Sequence, residues 1–193
     1  MIRIGLVGES PNDTDSIKNL LLGKYSNLIF KHISGDQTGT QLYNEKTKRI
    51  VHSYYEKYKI DFVVYISDMD YHEGDLVRRK FIENWVHNID KDLPSTGILL
   101  LNIHELEALI LADIDSFNNH FNSKIKFATD PMKKIKPKEF LMDKTKKHSR
   151  TYRESDAPEI FNLLDINKVI EKCEYFGAFI MKFERKISAI MQA

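Results

Sequence analysis

Carboxylates at the ends of apolar runs are the residues of this chain best placed to do chemistry. Glu9 follows the first run (2–7), and Asp68 and Asp70 follow the third (62–66). Glu105 and Glu107 come shortly after the fourth (98–101), behind Asn102 and His104. Asp68 and Asp70 are two apart, so in an extended segment both side chains point the same way. Gathered acids repel one another, and a divalent cation removes that cost. Hard cations such as Mg2+ or Mn2+ take one or two carboxylates and fill their shell with water and phosphate oxygens. The chemistry this suits is phosphodiester cleavage or transfer, where the metal orients the attacking oxygen and screens the phosphate charge. Acids after strands more commonly cap the next helix and complement its dipole, which accounts for Asp13, Asp15 and Asp75. It does not account for Glu9, because Ser10, Asn12 and Asp13 are better cap residues. Nor does a cap need the 68/70 doublet.

These acids converge only if the runs are strands of one sheet. Ile2–Val7 is apolar except for Arg3 and Gly5, and 62–66 holds two valines and two aromatics; both patterns suit buried strands. The runs 28–33 and 98–101 supply two more. Between them apolar residues recur at helical spacing: Ile17, Leu20 and Leu21; then Thr47, Ile50, Val51, Tyr54 and Tyr58; then Val77, Phe81, Trp85 and Ile89. Another helix is expected from about Glu105, through Leu106, Leu109, Ile110 and Asp113. Four strand–helix alternations predict a mainly parallel four-stranded sheet flanked by helices, with all the acidic ends on one edge. Beyond Ser116 the strand signal stops. Asp156 through Glu159 reads as a capping box opening a short helix, and Asp165 as the cap of another. The expected organisation is an α/β domain over 1–118, then a basic linker and helical extension over 119–193, packed on or beside it.

Gly8-Glu9 after the first strand and Asp68-x-Asp70 after the third resemble the Toprim pattern, shared by topoisomerases, primases, OLD-type nucleases and small bacterial nucleases. Nearly the whole chain resembles a bacterial family of small Toprim-like proteins of uncharacterised function (domain of unknown function 4276). The likeness rests on His104-Glu105-Leu106-Glu107 through Asp113, on Tyr152 through Pro158, on Leu164-Asp165-Ile166, and on Cys173 and Phe176 before a closing amphipathic helix. The resemblance implies a Toprim-like, Rossmann-like fold and Mg2+ or Mn2+ held by Glu9, Asp68 and Asp70. It makes Glu105 and Glu107 additional ligands or supporting groups. It also implies bacterial anti-phage defence, in some relatives beside an ATPase partner subunit. Many Toprim domains have Gly after the first Glu; here that position is Ser10.

Composition bounds the rest. With 42% hydrophobic and 30% charged residues among 193, the chain is long enough for a core without disulfides. The single cysteine, Cys173, fits a reducing compartment, and no apolar stretch approaches membrane length. A soluble cytoplasmic protein is expected, in which a homo-oligomer is compatible with everything above. The net charge is +1, but 133–153 carries nine Lys/Arg against two acids, so the remainder is acidic. Lys133, Lys134, Lys144, Lys146, Lys147, Arg150 and Arg153 are therefore candidate phosphate contacts, with Tyr152 available to stack on a base. The alternative for this segment is a solvated loop. Other motifs fall short: His104-Glu105 lacks the second histidine of a zinc-protease helix, and Gly23-Lys24 lacks the rest of a P-loop. The expected activity is metal-dependent cleavage of DNA or RNA. The competing expectation is a non-catalytic regulatory subunit that binds nucleotide, nucleic acid or a partner protein.

Overall fold

Each of the four apolar runs forms a strand: β1 (Ile2–Val7), β2 (Leu28–Ser34), β3 (Phe62–Asp68) and β4 (Ile98–Asn102). All pair in parallel, in the order β2-β1-β3-β4. The computed structural model describes residues 1–34, 42–69 and 74–192. Helices α1 (Pro11–Leu22), α2 (Glu45–Tyr58) and α3 (Leu76–Asp90) make the crossovers. After β4 come α4 (Ala108–Ala112), α5 (Ile114–Phe121), α6 (Pro137–Thr145), α7 (Ala157–Phe161), α8 (Ile166–Lys172) and α9 (Glu174–Gln192). The architecture is thus α/β and Rossmann-like, with helices on both faces of the sheet.

Side-chain alternation along the strands divides the core. Ile4, Leu6, Phe62, Val64, Ile66 and Leu100 share one cluster with Ile17, Leu20 and Leu21 of α1. Into that same cluster run Leu141, Tyr152, Ile160, Val169, Cys173, Phe176 and Phe183. The C-terminal helices therefore bury the sheet face that α1 alone is too short to cover. Val7, Val63 and Tyr65 point to the other face, against Val51 and Tyr55 of α2 and Val86 and Ile89 of α3. Asp113 pins the wrap: its buried carboxylate accepts from the Asp165 N–H (2.9 Å), from Ser116 (2.6 Å) and from Lys168 (2.7 Å). Cys173 is fully buried, and burial pushes its thiol up to about 12.

Local signals explain the helix starts. Ser10 caps α1 from extended backbone (φ −139°), and Asp13 returns the bond to the Ser10 N–H at 3.0 Å. Asn44 and Asp75 cap α2 and α3, and Asp165 caps α8 as expected. Two expectations need correction. The helix placed at Glu105 begins at Ala108 and breaks at Asp113 into α4 and α5, leaving Glu105 and Glu107 in the turn before it. Asp156 stands at the start of α7 as expected but makes no capping bond to it; its carboxylate instead reaches back 2.8 Å to the Arg153 N–H and closes a 3-10 turn over Glu154–Asp156. Among the described residues no helix is long and apolar enough to cross a membrane.

Gly97, where the chain enters β4, has no room for a side chain. A Cβ there would stand 2.5 Å from the Tyr65 ring and 2.7 Å from the Val63 carbonyl oxygen. Its N–H also donates to Asp90 (2.6 Å), which accepts from Tyr65 Oη (2.8 Å). Gly97→Ala should therefore cost about 1–3 kcal/mol, the range for overpacking a filled site. Urea unfolding would show it as a lower midpoint with an unchanged slope.

Candidate functional site

The chain leaves β1 for β2 on one side and returns to β3 on the other, so strand order reverses between β1 and β3. Ligands of open parallel sheets bind outside the strand ends at such a reversal. Glu9 and Asp68 occupy those two ends, on strands about 4.8 Å apart. Gly8 makes the position of Glu9 attainable: a Cβ at Gly8 would come 2.9 Å from Thr14 Cγ2 in the first turns of α1. Ser10 takes its place without glycine's freedom, because its φ is ordinary extended backbone.

Each acid is oriented by a neighbour. Tyr43 Oη donates to Glu9 Oε1 (3.1 Å) and lies 2.5 Å from Ser67 Oγ, linking the two strand ends. Asp68 Oδ1 accepts from Asn102 Nδ2 (2.8 Å), its register partner on β4, and Asp68 Oδ2 accepts from the Leu106 N–H (3.4 Å). Asp70, the expected partner of this pair, lies outside the described residues. Among the described residues no three His, Cys, Asp or Glu side chains form a metal-holding group. Glu9 and Asp68 offer carboxylate oxygens alone, which would suit a hard divalent cation rather than zinc or copper.

A second group of acids gathers around one lysine. Lys138, in the first turn of α6, places its ammonium 3.9 Å from Glu105 and 3.7 Å from Glu154, and its N–H donates to Glu105 (3.0 Å). Burial lowers the Lys138 pKa, but the fields of Glu107, Glu105, Glu154 and Glu139 outweigh it and hold the ammonium above its usual range. Glu107 is only 5% exposed and accepts from Tyr152 Oη at 3.0 Å. Burial, with the nearby Glu105 charge, pushes Glu107 up to about 7 despite the hydrogen bonds and Lys138. Burial likewise lifts Asp13 to about 6. Glu105 and Glu107 thus do different things: the first faces the lysine and solvent, the second faces the core.

The basic segment is not one arm. Tyr152 is wholly buried (0% exposed), packed against Phe117 and Phe121 and hydrogen-bonded to Glu107, so its ring cannot stack on a base. Its aromatic face was needed to complete the core. Lys133 pairs with Asp130, and Lys134 lies over the Phe140 ring. Arg150 lies over Phe121, donates to His120 and stands 3.8 Å from Asp156; Arg153 is exposed beside the 3-10 turn. Lys144, Lys146 and Lys147 are exposed, Lys144 with its ammonium 5.6 Å from the Phe140 ring centre. Lys144 joins His148, Lys124 and Lys126 along a groove of about 600 Å³. Lys124 and Lys126, which line this groove, were not among the expected contacts. Asn102 was legible from parallel pairing alone; Tyr43 follows a stretch whose path the sequence does not give.

The fold and site define a parallel α/β protein with an acidic strand-end edge. A family model described as Domain of unknown function (DUF4276) matches residues 13–184, and the chain belongs to that family. No curated protein and no solved structure matches it.

The raised Glu107 carboxyl has a stability consequence. The folded protein keeps a proton there that the unfolded chain releases near 4.5, so stability from this group is full below 4.5 and lost as pH rises through about 7. Glu107→Gln keeps the shape and removes the titration. In metal-free protein, the variant should gain on wild type by about 3 kcal/mol between pH 4.5 and 8, measured by urea unfolding. Parallel curves across that range would show that Glu107 titrates normally.

Proposed function

We propose that this protein is a metal-dependent nuclease of Toprim type, hydrolysing phosphodiester bonds of DNA or RNA. The observation that carries the reading is the placement of Glu9 and Asp68 on adjacent strand ends at the reversal of strand order, each held by a dedicated donor. Glu9, Asp68 and Asp70 would hold Mg2+ or Mn2+, which when bound supplies charge neutralisation at the phosphate and an acidified water. Tyr43 and Asn102 fix the directions of the two carboxylates. Lys138 lies at the same edge and offsets the charge of Glu105 and Glu154, so that a polyanion meets less repulsion there. The exposed end of α6, with Lys144, Lys146 and Lys147, stands roughly 10 Å along the helix from Lys138, and suits backbone phosphates on either side of the cut. The resemblance to Toprim-type nucleases makes a cytoplasmic role in anti-phage defence, with an ATPase subunit as the partner class, part of this proposal.

One observation favours the non-catalytic alternative. Glu9 and Asp68 already accept protein hydrogen bonds, so the edge is partly satisfied by the protein alone. Incubating purified protein with mixed single- and double-stranded DNA and RNA, in Mg2+ or Mn2+, separates the two readings. Cleavage that needs the metal supports the nuclease, and intact substrates under every condition support the binding module. Glu9→Gln and Asp68→Asn should each reduce turnover by roughly 100-fold or more while nucleic-acid affinity persists. Calorimetric titration should show weaker Mn2+ binding in both variants; unchanged affinity would remove the proposed site.

The basic end is tested separately. Replacing Lys144, Lys146 and Lys147 by alanine together should weaken binding to every sequence alike, in calcium to block cleavage. The slope of log affinity against log salt should fall by about 0.7–0.9 for each phosphate that is no longer neutralised. Superimposable salt plots would leave these lysines merely solvated.

A further inference from the structure

With Tyr152 buried, the site described so far has no surface for a base, yet α3 offers one beside Glu9. The Tyr43 ring, whose hydroxyl holds Glu9, stands edge-on to Phe81 (centroids 5.2 Å apart, 66°) and to Trp85 (5.0 Å, 82°). The Arg78 guanidinium lies 5.1 Å from the Tyr43 ring centre and 5.7 Å from that of Phe81. It forms no ion pair with any described residue, and its Nε is buried without a hydrogen-bond partner. Arg79 and Lys80 follow, likewise without an ion pair among the described residues, but Arg79 turns away over the Tyr175 ring of α9, so Arg78 is the cation of this cluster. Apolar surface accompanies it: Phe81 is 48% exposed and Val77, one turn earlier on the same helix face, is 82% exposed.

Scattered exposed apolar residues are ordinary on any surface. This cluster differs because a guanidinium with no ion pair among the described residues is stacked into it, and because Tyr43 ties it to the acidic edge. A second protein chain would be met by apolar surface alone and has no need of a guanidinium that lacks an ion pair among the described residues. A polyanion with flat, apolar rings needs both. A nucleic-acid strand is such a polyanion, and only an unpaired strand presents a base face, since duplex bases are covered by their neighbours.

We infer that Arg78 and Phe81 form a subsite for an unpaired nucleotide next to the acidic edge at Glu9 and Asp68. Phe81 stacks on the base, and Arg78 contacts the adjoining phosphate through the edge of its guanidinium. This deepens the nuclease reading and rests on it, because it assigns the substrate class as single-stranded nucleic acid, or a duplex opened at the site.

The test uses the full chain in calcium with an oligonucleotide carrying 2-aminopurine, offered as a single strand and as a duplex. Wild type should bind the single strand more tightly and quench its fluorescence by stacking. Phe81→Ala should lose the quenching and weaken single-strand binding roughly ten-fold, with less than about a two-fold change for duplex. Phe81→Trp should retain both signals, which controls for folding, as does an unchanged melting temperature. Arg78→Lys, which keeps charge but not the planar fork, should weaken single-strand binding less than Arg78→Ala does. Wild-type affinity and quenching in Phe81→Ala would overturn the subsite while leaving the nuclease reading intact. So would equal losses for single strand and duplex, or a shift from dimer to monomer in sedimentation with binding unchanged, which would make the patch an interface between copies. Absence of any nucleic-acid binding by wild type would overturn the subsite and the nuclease reading together.

Discussion

The pairing of β1 with β3 is the constraint on which the rest of the site depends. Parallel registry of Ile4 with Phe62 through Val7 with Tyr65 brings two chain segments nearly sixty residues apart to a common edge. From that pairing alone, Glu9 and Asp68 become neighbours, Ser67 comes within reach of Tyr43, and β4 can dock to place Asn102 opposite Asp68. Gly8 permits it by letting α1 start close against the strand end. A register slip of one residue would invert every side chain of β3, exchanging Val64 and Ile66 for Val63 and Tyr65 on the face that the C-terminal helices cover.

Around that edge the protein accepts electrostatic cost and offsets it locally. Two carboxyls, Asp13 and Glu107, are buried enough to hold protons near neutrality. The capping bond from Ser10 and the Tyr152 hydroxyl partly relieve them, and Lys138 relieves both. Burying polar groups is tolerated only where hydrogen bonds replace the lost water. The Glu107–Tyr152 pair also ties the turn after β4 to residues that follow α6, so the acidic edge and the helical wrap are mechanically one unit.

Much of this was legible in the sequence because it follows from local rules. Strands announce themselves by short Ile/Val-rich runs, and the acids after them stand out because glutamate is a poor cap. Asp13 and Asp75 were readable as first-turn and cap acids for the same reason. What failed was long-range. Tyr152 looked available beside lysines and arginines, but one large aromatic was needed to fill the space between α5 and β4's turn. Its fate depended on Phe117, Phe121 and Glu107, none adjacent to it in sequence. The start of α4 was misplaced because Glu105 commits its carboxylate to the Lys138 N–H, a partner 33 residues away. Tyr43 and Arg78 carry no local signature of their positions, since ring stacking between α3 and the approach to α2 exists only once the sheet has formed.

The way the C-terminal helices close one sheet face bears on the order in which the chain acquires structure. Asn19 of α1 donates to the Pro158 carbonyl, and Tyr25 bonds Glu184, partners separated by 139 and 159 residues. Contacts of such sequence separation are slow to form, because the loop-closure entropy is lost before they stabilise anything. During synthesis at about 5–20 residues per second, the β1–β3 pair emerges many seconds before Phe176 and Phe183 can cover it. For that interval Ile4, Leu6 and Val64 form a bare apolar strip, the kind of surface that chaperones shield on nascent chains.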